Sequence, residues 1–513
     1  MLHVRAIPPF DPARAARGLA ALGARDTALF ESSLPGGERG RWSLIAFDAL
    51  RRWTWFESTG WTITGATPSP LLAAMEVQLK KKAQRPWEGL AAAEAKLTAA
   101  GAADQGSDSL PPFRGGFAVS IAYDAARRLD GFEPWRAKAR DDVRWPWFDL
   151  RLYGAVAALD HSTGRAWIVA PDHELFATSP QARSDAAAAR LTRANSAGRT
   201  SDEEVADRAA EEAEEAALAA ATAAESGAEI AAAVGSTAPL AANMTDKEYA
   251  AAFARLHKYL RAGDLYQANL TRRFEAPCTL EAPALYARLR RTAPAPYAVL
   301  LDDPERAIVS ASPELFLARH GARLVTRPIK GTRPRDADPE RDAALAEELL
   351  ASEKDRAEHV MIVDVHRNDL GRVCEFGTVV VEAMAAHEVF PTVHHLTSTI
   401  AGTLRPDAGS WEAIAASFPA GSITGAPKRR ACEVLEELEP TRRAAYCGAL
   451  GWWDLTGDFA FNVAIRTILL ADGRATFQAG GGIVIDSQVD LEAAETWNKA
   501  RALHAAIVGE ERP

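Results

Sequence analysis

From about Ala182 to Leu240 the sequence turns to Ala, Glu, Ser and Arg and carries almost no large apolar side chains. Ala and Glu favour helix, yet a helix without an apolar stripe has little to bury. The segment therefore reads as a solvated helical arm or a linker without fixed structure. A hydrophobic core must then come from the flanking segments, 1–181 and 241–510, and the chain falls into three parts. Within the middle part, Ser201 to Ile230 hold ten acidic residues against one basic residue, Arg208, so this stretch carries −9 of the chain's −10 and the remainder only −1. The folded part is close to neutral, and its charge supplies no argument for a nucleic-acid or membrane partner.

With 513 residues, 48% hydrophobic and 25% charged, the chain has a globular composition and enough length for one large two-lobed domain or several ordinary ones. In residues 1–181, short apolar/polar alternations at Trp42–Phe47, Trp53–Phe56 and Trp61–Ile63 predict antiparallel strands. Arg151–Asp160 and Arg165–Ala170, separated by His161-Ser162-Thr163-Gly164, predict a hairpin. From Met244 onward helices and strands mix. Thr245-Asp246-Lys247-Glu248 fits a capping box, with Tyr249, Phe253, Leu256 and Leu260 at helical spacing behind it.

No apolar run is long enough to span a bilayer, and Met1–Pro9 lacks the continuous apolar core of a signal peptide, so a cytoplasmic location is expected. Cys278, Cys374, Cys432 and Cys447 are too few and too scattered for a disulfide framework or a paired-Cys zinc site, and read as buried thiols.

Two acid pairs carry more information. Asp355 and Glu358 lie three apart in the helix-forming run Leu349–His359, on one face. Glu492 and Glu495 repeat the spacing behind Ser487-Gln488-Val489-Asp490, which fits a second capping box. Two helices that each offer two carboxylates suit one hard divalent ion such as Mg²⁺, which takes oxygen ligands and keeps several waters. The run Ala479-Gly480-Gly481-Gly482-Ile483 would let backbone N–H groups approach an anion. Arg466 offers a bidentate fork for a carboxylate. Thr424-Gly425-Ala426-Pro427-Lys428 is a glycine turn leading into a helix, where Lys428 is either a charge contact or a surface lysine. In Arg327-Pro328-Ile329-Lys330-Gly331-Thr332, a Pro/Gly-punctuated turn presents a primary amine that can act as a nucleophile.

These stretches, with Ser312-Pro313-Glu314, Arg367–Arg372 and His395–Thr399, resemble the chorismate-utilising enzymes, strongly over 240–510 and weakly over 1–180. Within that family the resemblance is to the large subunits of aminodeoxychorismate synthases. It implies an α+β fold, a two-lobed α/β sandwich of large antiparallel sheets with outer helices, whose active site lies in the C-terminal part. It also implies Mg²⁺ held directly by Glu358 and Glu495, with Asp355 and Glu492 acting through water. Tyr446 matches the partner of the substrate's pyruvyl side chain, Glu314 the general acid, and His395 a further site residue. Where relatives that add water at C2 carry a lysine base, this chain has Gln267. Where anthranilate synthases carry alanine, it has Lys330.

The implied reaction is amination of chorismate at C4 to 4-amino-4-deoxychorismate, for 4-aminobenzoate and folate synthesis, through a covalent Lys330 intermediate. Component I of anthranilate synthase is the enzyme alternative, and an inactive chorismate- or tryptophan-binding regulatory subunit a third reading. None of the cysteines sits on a glutaminase-type nucleophile elbow, so ammonia is expected from a separate glutamine amidotransferase subunit. Glu31, Ser32 and Trp42 resemble the family's tryptophan pocket. His366 has no counterpart in the family pattern.

Overall fold

The computed structural model describes residues 2–32, 41–99, 110–129, 132, 138–197 and 240–509. Among them the strands form two large antiparallel sheets, one of twelve strands and one of eleven. Both sheets draw on both ends of the chain. In the first, Thr27–Glu31 pairs with Tyr297–Asp302 through Leu29↔Leu300; in the second, Gly116–Ile121 pairs with Ala449–Asp454 through Val119↔Gly451. The hydrogen-bonded ladders therefore run continuously across the division between 1–181 and 241–510.

Period-2 side-chain alternation explains the layering. In the first sheet, Leu29, Ile45 and Leu300 join a core that includes Leu19, Leu285 and Leu503 from outer helices, while their neighbours Phe30, Leu44 and Val299 face the other way. In the second, Phe117, Val119 and Trp453 pack with Trp87, Leu79 and Trp411 from helices, whereas Ala118 and Trp452 turn inward beside Phe30 and Val299. The result is helices, sheet, sheet, helices, with a core at each of the three interfaces. A strand buried on both faces is apolar at successive positions, as Ala28, Leu29 and Phe30 are in the fully buried strand Thr27–Glu31.

The capping box at Thr245 and Glu248 is formed, and Tyr249, Phe253, Leu256 and Leu260 are buried behind it. Several expectations change. Arg151–Asp160 is two strands rather than one: Phe148–Tyr153 lies in the second sheet, and the chain crosses at Gly154-Ala155 to Val156–Asp160 in the first, which then forms the predicted hairpin with Arg165–Pro171. Pro180–Ala197 is a packed helix, not the start of a linker. Its stripe of Ser184, Ala188, Leu191 and Ala194 is buried, and the small side chains at three of these positions let it sit close against the helix Pro12–Ala21. The acidic stretch 201–230 lies outside the described residues.

Candidate active site

A cavity of about 540 Å³ opens where C-terminal strands of the two sheets converge. That volume suits a small organic ligand. One wall comes from the first sheet, through Asn269 on Gln267–Pro277 and Gly480 and Gly482 on Arg474–Ile483. The opposite wall comes from the second, through Lys330 and Thr332 on Ile329–Pro334 and His395 on Val393–Thr403. Helices Glu353–Gly371 and Val489–Val508 bring Asp355, Glu358, Glu492 and Glu495 to the same space.

Two chain crossings between the sheets supply further groups. Pro313-Glu314 connects Arg306–Ser312 in the first sheet to Leu315–His320 in the second, and Ala464-Ile465-Arg466 returns from the second to the first. Arg466 lines the cavity with φ +49°, a left-handed backbone that costs a non-glycine residue and is held by Ala311 N–H donating to its carbonyl at 3.0 Å. Glu314 is buried. Loss of solvent pushes its carboxyl up to about 7, against the lowering effects of the Ser422 hydroxyl, which donates to Oε1 at 2.5 Å, of the Ile329 backbone and of Lys330. A carboxyl in that range carries a proton near neutrality, as a general acid must.

Lys330 Nζ lies 2.8 Å from Glu358 Oε2. Gly482 makes room for it, since a Cβ there would stand 2.7 Å from that nitrogen and 2.8 Å from the Gln267 amide nitrogen. Gln267 is fully buried and neither amide atom has a hydrogen-bond partner among the described residues. Across the cavity, His395 Nδ1 is 2.9 Å from the Thr332 hydroxyl while its buried Nε2 has no partner among the described residues. Burial first, and the Arg466 charge second, hold this imidazole down to about 3, so it is neutral. Tyr446 is buried and lines the cavity, and burial keeps its phenol protonated.

The carboxylates are held by ammonium, guanidinium and hydroxyl groups. Glu495 takes Lys499 at 2.6 Å, Asp355 takes Arg333 at 3.1 Å, and Glu492 accepts from Ser487 at 2.7 Å while burial raises its pKa. No group of three or more acidic, His or Cys side chains is preassembled for a metal among the described residues. The donors nevertheless fit a hard divalent cation. All are carboxylates on one cavity, and Gly481 leaves Glu492 and Glu495 unobstructed, since a Cβ there would lie 2.6 Å from Glu492 Oε2.

The local structure departs from expectation in four places. The run Leu349–His359 is broken at Ser352, whose hydroxyl accepts from Asp355 N–H and starts a new helix, so Asp355 sits in its first turn. Ser487 caps nothing: the helix begins after Gln488, and Ser487 instead binds Glu492. The glycine run lies within a strand, so one edge of its backbone is taken up in the ladder, with Gly480, Gly481 and Gly482 paired to Thr271, Leu270 and Asn269. Its opposite edge, beyond the Ile468↔Phe477 pair, has no strand partner among the described residues.

The fourth concerns the turn before Lys428. Lys428 is turned away from the cavity onto Asp369 at 2.6 Å and the Ser417 carbonyl at 2.7 Å, because a buried carboxylate binds it more strongly than an open cleft. Thr424 donates to the Ala420 carbonyl at 2.9 Å, and Gly425 lies so close to the Gln267 carbonyl that a Cβ would be 2.1 Å from it. Ser422 and Ile423, not these residues, reach the cavity. Ser422 escaped the sequence reading because nothing in spacing says which member of a turn faces inward.

His366 is buried, 2.9 Å from the Thr326 hydroxyl, and desolvation keeps it neutral. At the other end of the fold, Glu31 accepts from Tyr286 at 2.7 Å and pairs with Arg290 at 2.7 Å, Ser32 Oγ is buried without a partner among the described residues, and Trp42 packs on Trp167 at 5.9 Å. Residues 33–40 beside them lie outside the described set.

The sequence matches the family model described as chorismate binding enzyme over residues 51–505. It is 36% identical over 397 residues to "Aminodeoxychorismate synthase component 1" of Bacillus subtilis (strain 168), covering 77% of this chain and 78% of that protein. It is 39% identical over 399 residues to "Anthranilate synthase component 1" of Streptomyces coelicolor, covering 78% and 74%. The crystal structure of anthranilate synthase component I from Streptococcus pneumoniae TIGR4 superposes with a TM-score of 0.68 at 28% identity, over 92% of this chain and 93% of that one. Family match, similar proteins and shared architecture agree, and the chain belongs to the chorismate binding enzymes.

Proposed function

We propose that this protein is a component I of aminodeoxychorismate synthase, an amino-group transferase that takes chorismate and ammonia to 4-amino-4-deoxychorismate for 4-aminobenzoate and folate synthesis. The observation that carries this reading is Lys330, whose amine stands in the cavity beside Glu358 and shares it with the protonatable Glu314. The similar proteins include both aminodeoxychorismate and anthranilate synthases, so the lysine, rather than the likeness, selects the chemistry.

The steps assigned to the chain's own groups are these. Neutral Lys330 attacks C2 of the ring, the double bonds shift, and the C4 hydroxyl leaves as water with the proton from Glu314. Ammonia then adds at C4, the double bonds return and the C2–lysine bond breaks, releasing the lysine as a free amine, and the proton shed by the nitrogen added at C4 returns to Glu314. Arg466 and Tyr446 orient the carboxylate and pyruvyl side chain, and the open edge of the 480–482 strand offers backbone donors. Glu358 and Glu495 would hold Mg²⁺ directly, with Asp355 and Glu492 through water. That ion, when bound, supplies charge compensation for the ring carboxylate. His395, neutral and with a free ring nitrogen, is placed to hydrogen-bond substrate or water.

Ammonia is supplied by a partner glutamine amidotransferase, since the four cysteines are all buried and offer no exposed nucleophile. Tryptophan at Glu31, Ser32 and Trp42 is a further proposal. No helix among the described residues is long and apolar enough to cross a membrane.

Product identification tests the reading. Purified chain with chorismate, Mg²⁺ and ammonium is expected to form 4-amino-4-deoxychorismate, and glutamine is expected to replace ammonium only after the small subunit is added. Anthranilate as the main product would favour the component I of anthranilate synthase, and tight chorismate binding without turnover would favour a regulatory subunit.

A further inference from the structure

The backbone that presents Lys330 is held by a directed chain of hydrogen bonds. His359 Nδ1 lies 3.1 Å from the Lys330 carbonyl oxygen, and its Nε2 lies 2.6 Å from the Ser398 hydroxyl. Ser398 Oγ in turn is 2.9 Å from the Ala385 N–H. A carbonyl only accepts, so His359 must carry its proton on Nδ1. With the ring neutral, Nε2 is then an acceptor and takes the Ser398 hydroxyl proton. The Met384 sulfur, 3.5 Å from Ser398 Oγ, is a more distant and weaker acceptor for the same proton.

Every link then has one direction, from Ala385 N–H through Ser398 and His359 to the Lys330 carbonyl. The far end is also built for it. Ala385 has φ +47°, and the pairing between Val380–Val389 and Val393–Thr403 slips between Ala383 and Ala386. Such an irregularity re-aims a backbone group out of the ladder. Here the freed N–H meets Ser398. His359 is 1% exposed and Ser398 0%, so neither has water as an alternative partner. Lys330 needs such support because Gly331 follows it with φ +93°, and the ladder with Val393–Thr403 is irregular between Ile329 and Thr332.

We propose that His359 is a positioning residue for the Lys330 nucleophile, fixing its carbonyl and hence the path of its side chain, with Ser398 setting the His359 tautomer. The proposal rests on the reading of Lys330 as a nucleophile. His359 itself touches neither substrate nor reacting atoms. A misplacement of about 1 Å at a reacting group can cost about 100-fold in rate, and loss of the strut is expected to act in this way, on kcat rather than on KM.

The test separates the two ring nitrogens. In His359→Asn the amide nitrogen falls where Nδ1 stands and can still donate to the Lys330 carbonyl; in His359→Gln it falls nearer Nε2 and cannot. With full-length protein, chorismate, Mg²⁺ and ammonium, His359→Gln and His359→Leu are expected to lower kcat about 10- to 100-fold with KM for chorismate nearly unchanged, and His359→Asn to restore most of it. Without ammonium, mass spectrometry should show the Lys330 adduct forming more slowly in the Gln and Leu variants and near the wild-type rate in Asn. Circular dichroism and thermal melting identify any variant that fails to fold, and the Asn-against-Gln comparison is made between folded proteins. Equal rates in Asn and Gln, or a loss confined to KM, overturn the strut while leaving the nucleophile in place. Absence of any lysine adduct in wild type instead overturns the nucleophile reading, and the strut's purpose with it.

Discussion

Replacing Glu314 by glutamine should inactivate the protein and, at alkaline pH, stabilise it. In the folded chain the carboxyl is raised from 4.5 to about 7, chiefly by burial. A carboxyl raised on folding contributes favourably while both states are protonated, below about 4.5, and loses that contribution as the pH climbs through about 7. At about 1.4 kcal/mol per pH unit, the interval from 4.5 to about 7 amounts to about 3 kcal/mol of ionisation cost carried by the wild type above pH 8.

Glutamine carries no such cost. It can keep an acceptor for Ser422, but it replaces one carboxylate oxygen with an NH₂ that cannot accept from the Ser422 hydroxyl or the Ile329 N–H, a penalty of about 1 kcal/mol that does not vary with pH. The quantity to measure is therefore the change in relative stability between pH 5 and pH 8, by urea unfolding followed through tryptophan fluorescence. Relative to wild type, Glu314→Gln should gain about 2–3 kcal/mol over that range, while turnover falls by about 100-fold or more as expected for a lost general acid. Parallel stability profiles would mean that the carboxyl is solvated or already ionised. Near-normal turnover would remove Glu314 from the chemistry altogether.

Other outcomes follow from the same geometry. Lys330→Ala should abolish the covalent adduct seen by intact-mass analysis and divert some product toward anthranilate, and Lys330→Arg should not rescue because guanidinium stays protonated. Glu358→Gln and Glu495→Gln should each raise the Mg²⁺ concentration needed for activity by more than Asp355→Asn or Glu492→Gln; equal small effects at all four positions would remove the metal assignment. Lys428→Met should leave KM for chorismate unchanged yet cost about 3–5 kcal/mol of stability by stranding the buried Asp369 carboxylate. That deficit should shrink in acid, as Asp369, raised to about 6 by burial, takes up a proton, and a pH-independent deficit would contradict it.

Much of the fold and of the site was readable from local pattern, because local pattern is set by neighbours in the chain. Alternation marked the strands at Trp42, Trp53 and Trp61, Thr245 and Glu248 announced a helix start, and three-residue spacing put Glu358 and Glu495 each on a helix face with a second acid. The motifs carrying Lys330, Glu314, His395, Tyr446 and Arg466 name residues that do share one cavity. What sequence could not decide is which strands pair across the middle segment, since Leu29↔Leu300 and Val119↔Gly451 join residues far apart in the chain by hydrogen bonds that any side chain permits. Nor could it decide direction. Lys428 turns inward to a buried carboxylate, the glycines lie in a strand and clear space for Lys330 and two acids, and Ser422 rather than Thr424 meets Glu314. Residue type and spacing determined which chemistry the chain can offer. Packing of two sheets against each other, by desolvating some groups and pairing others, decided which residues offer it.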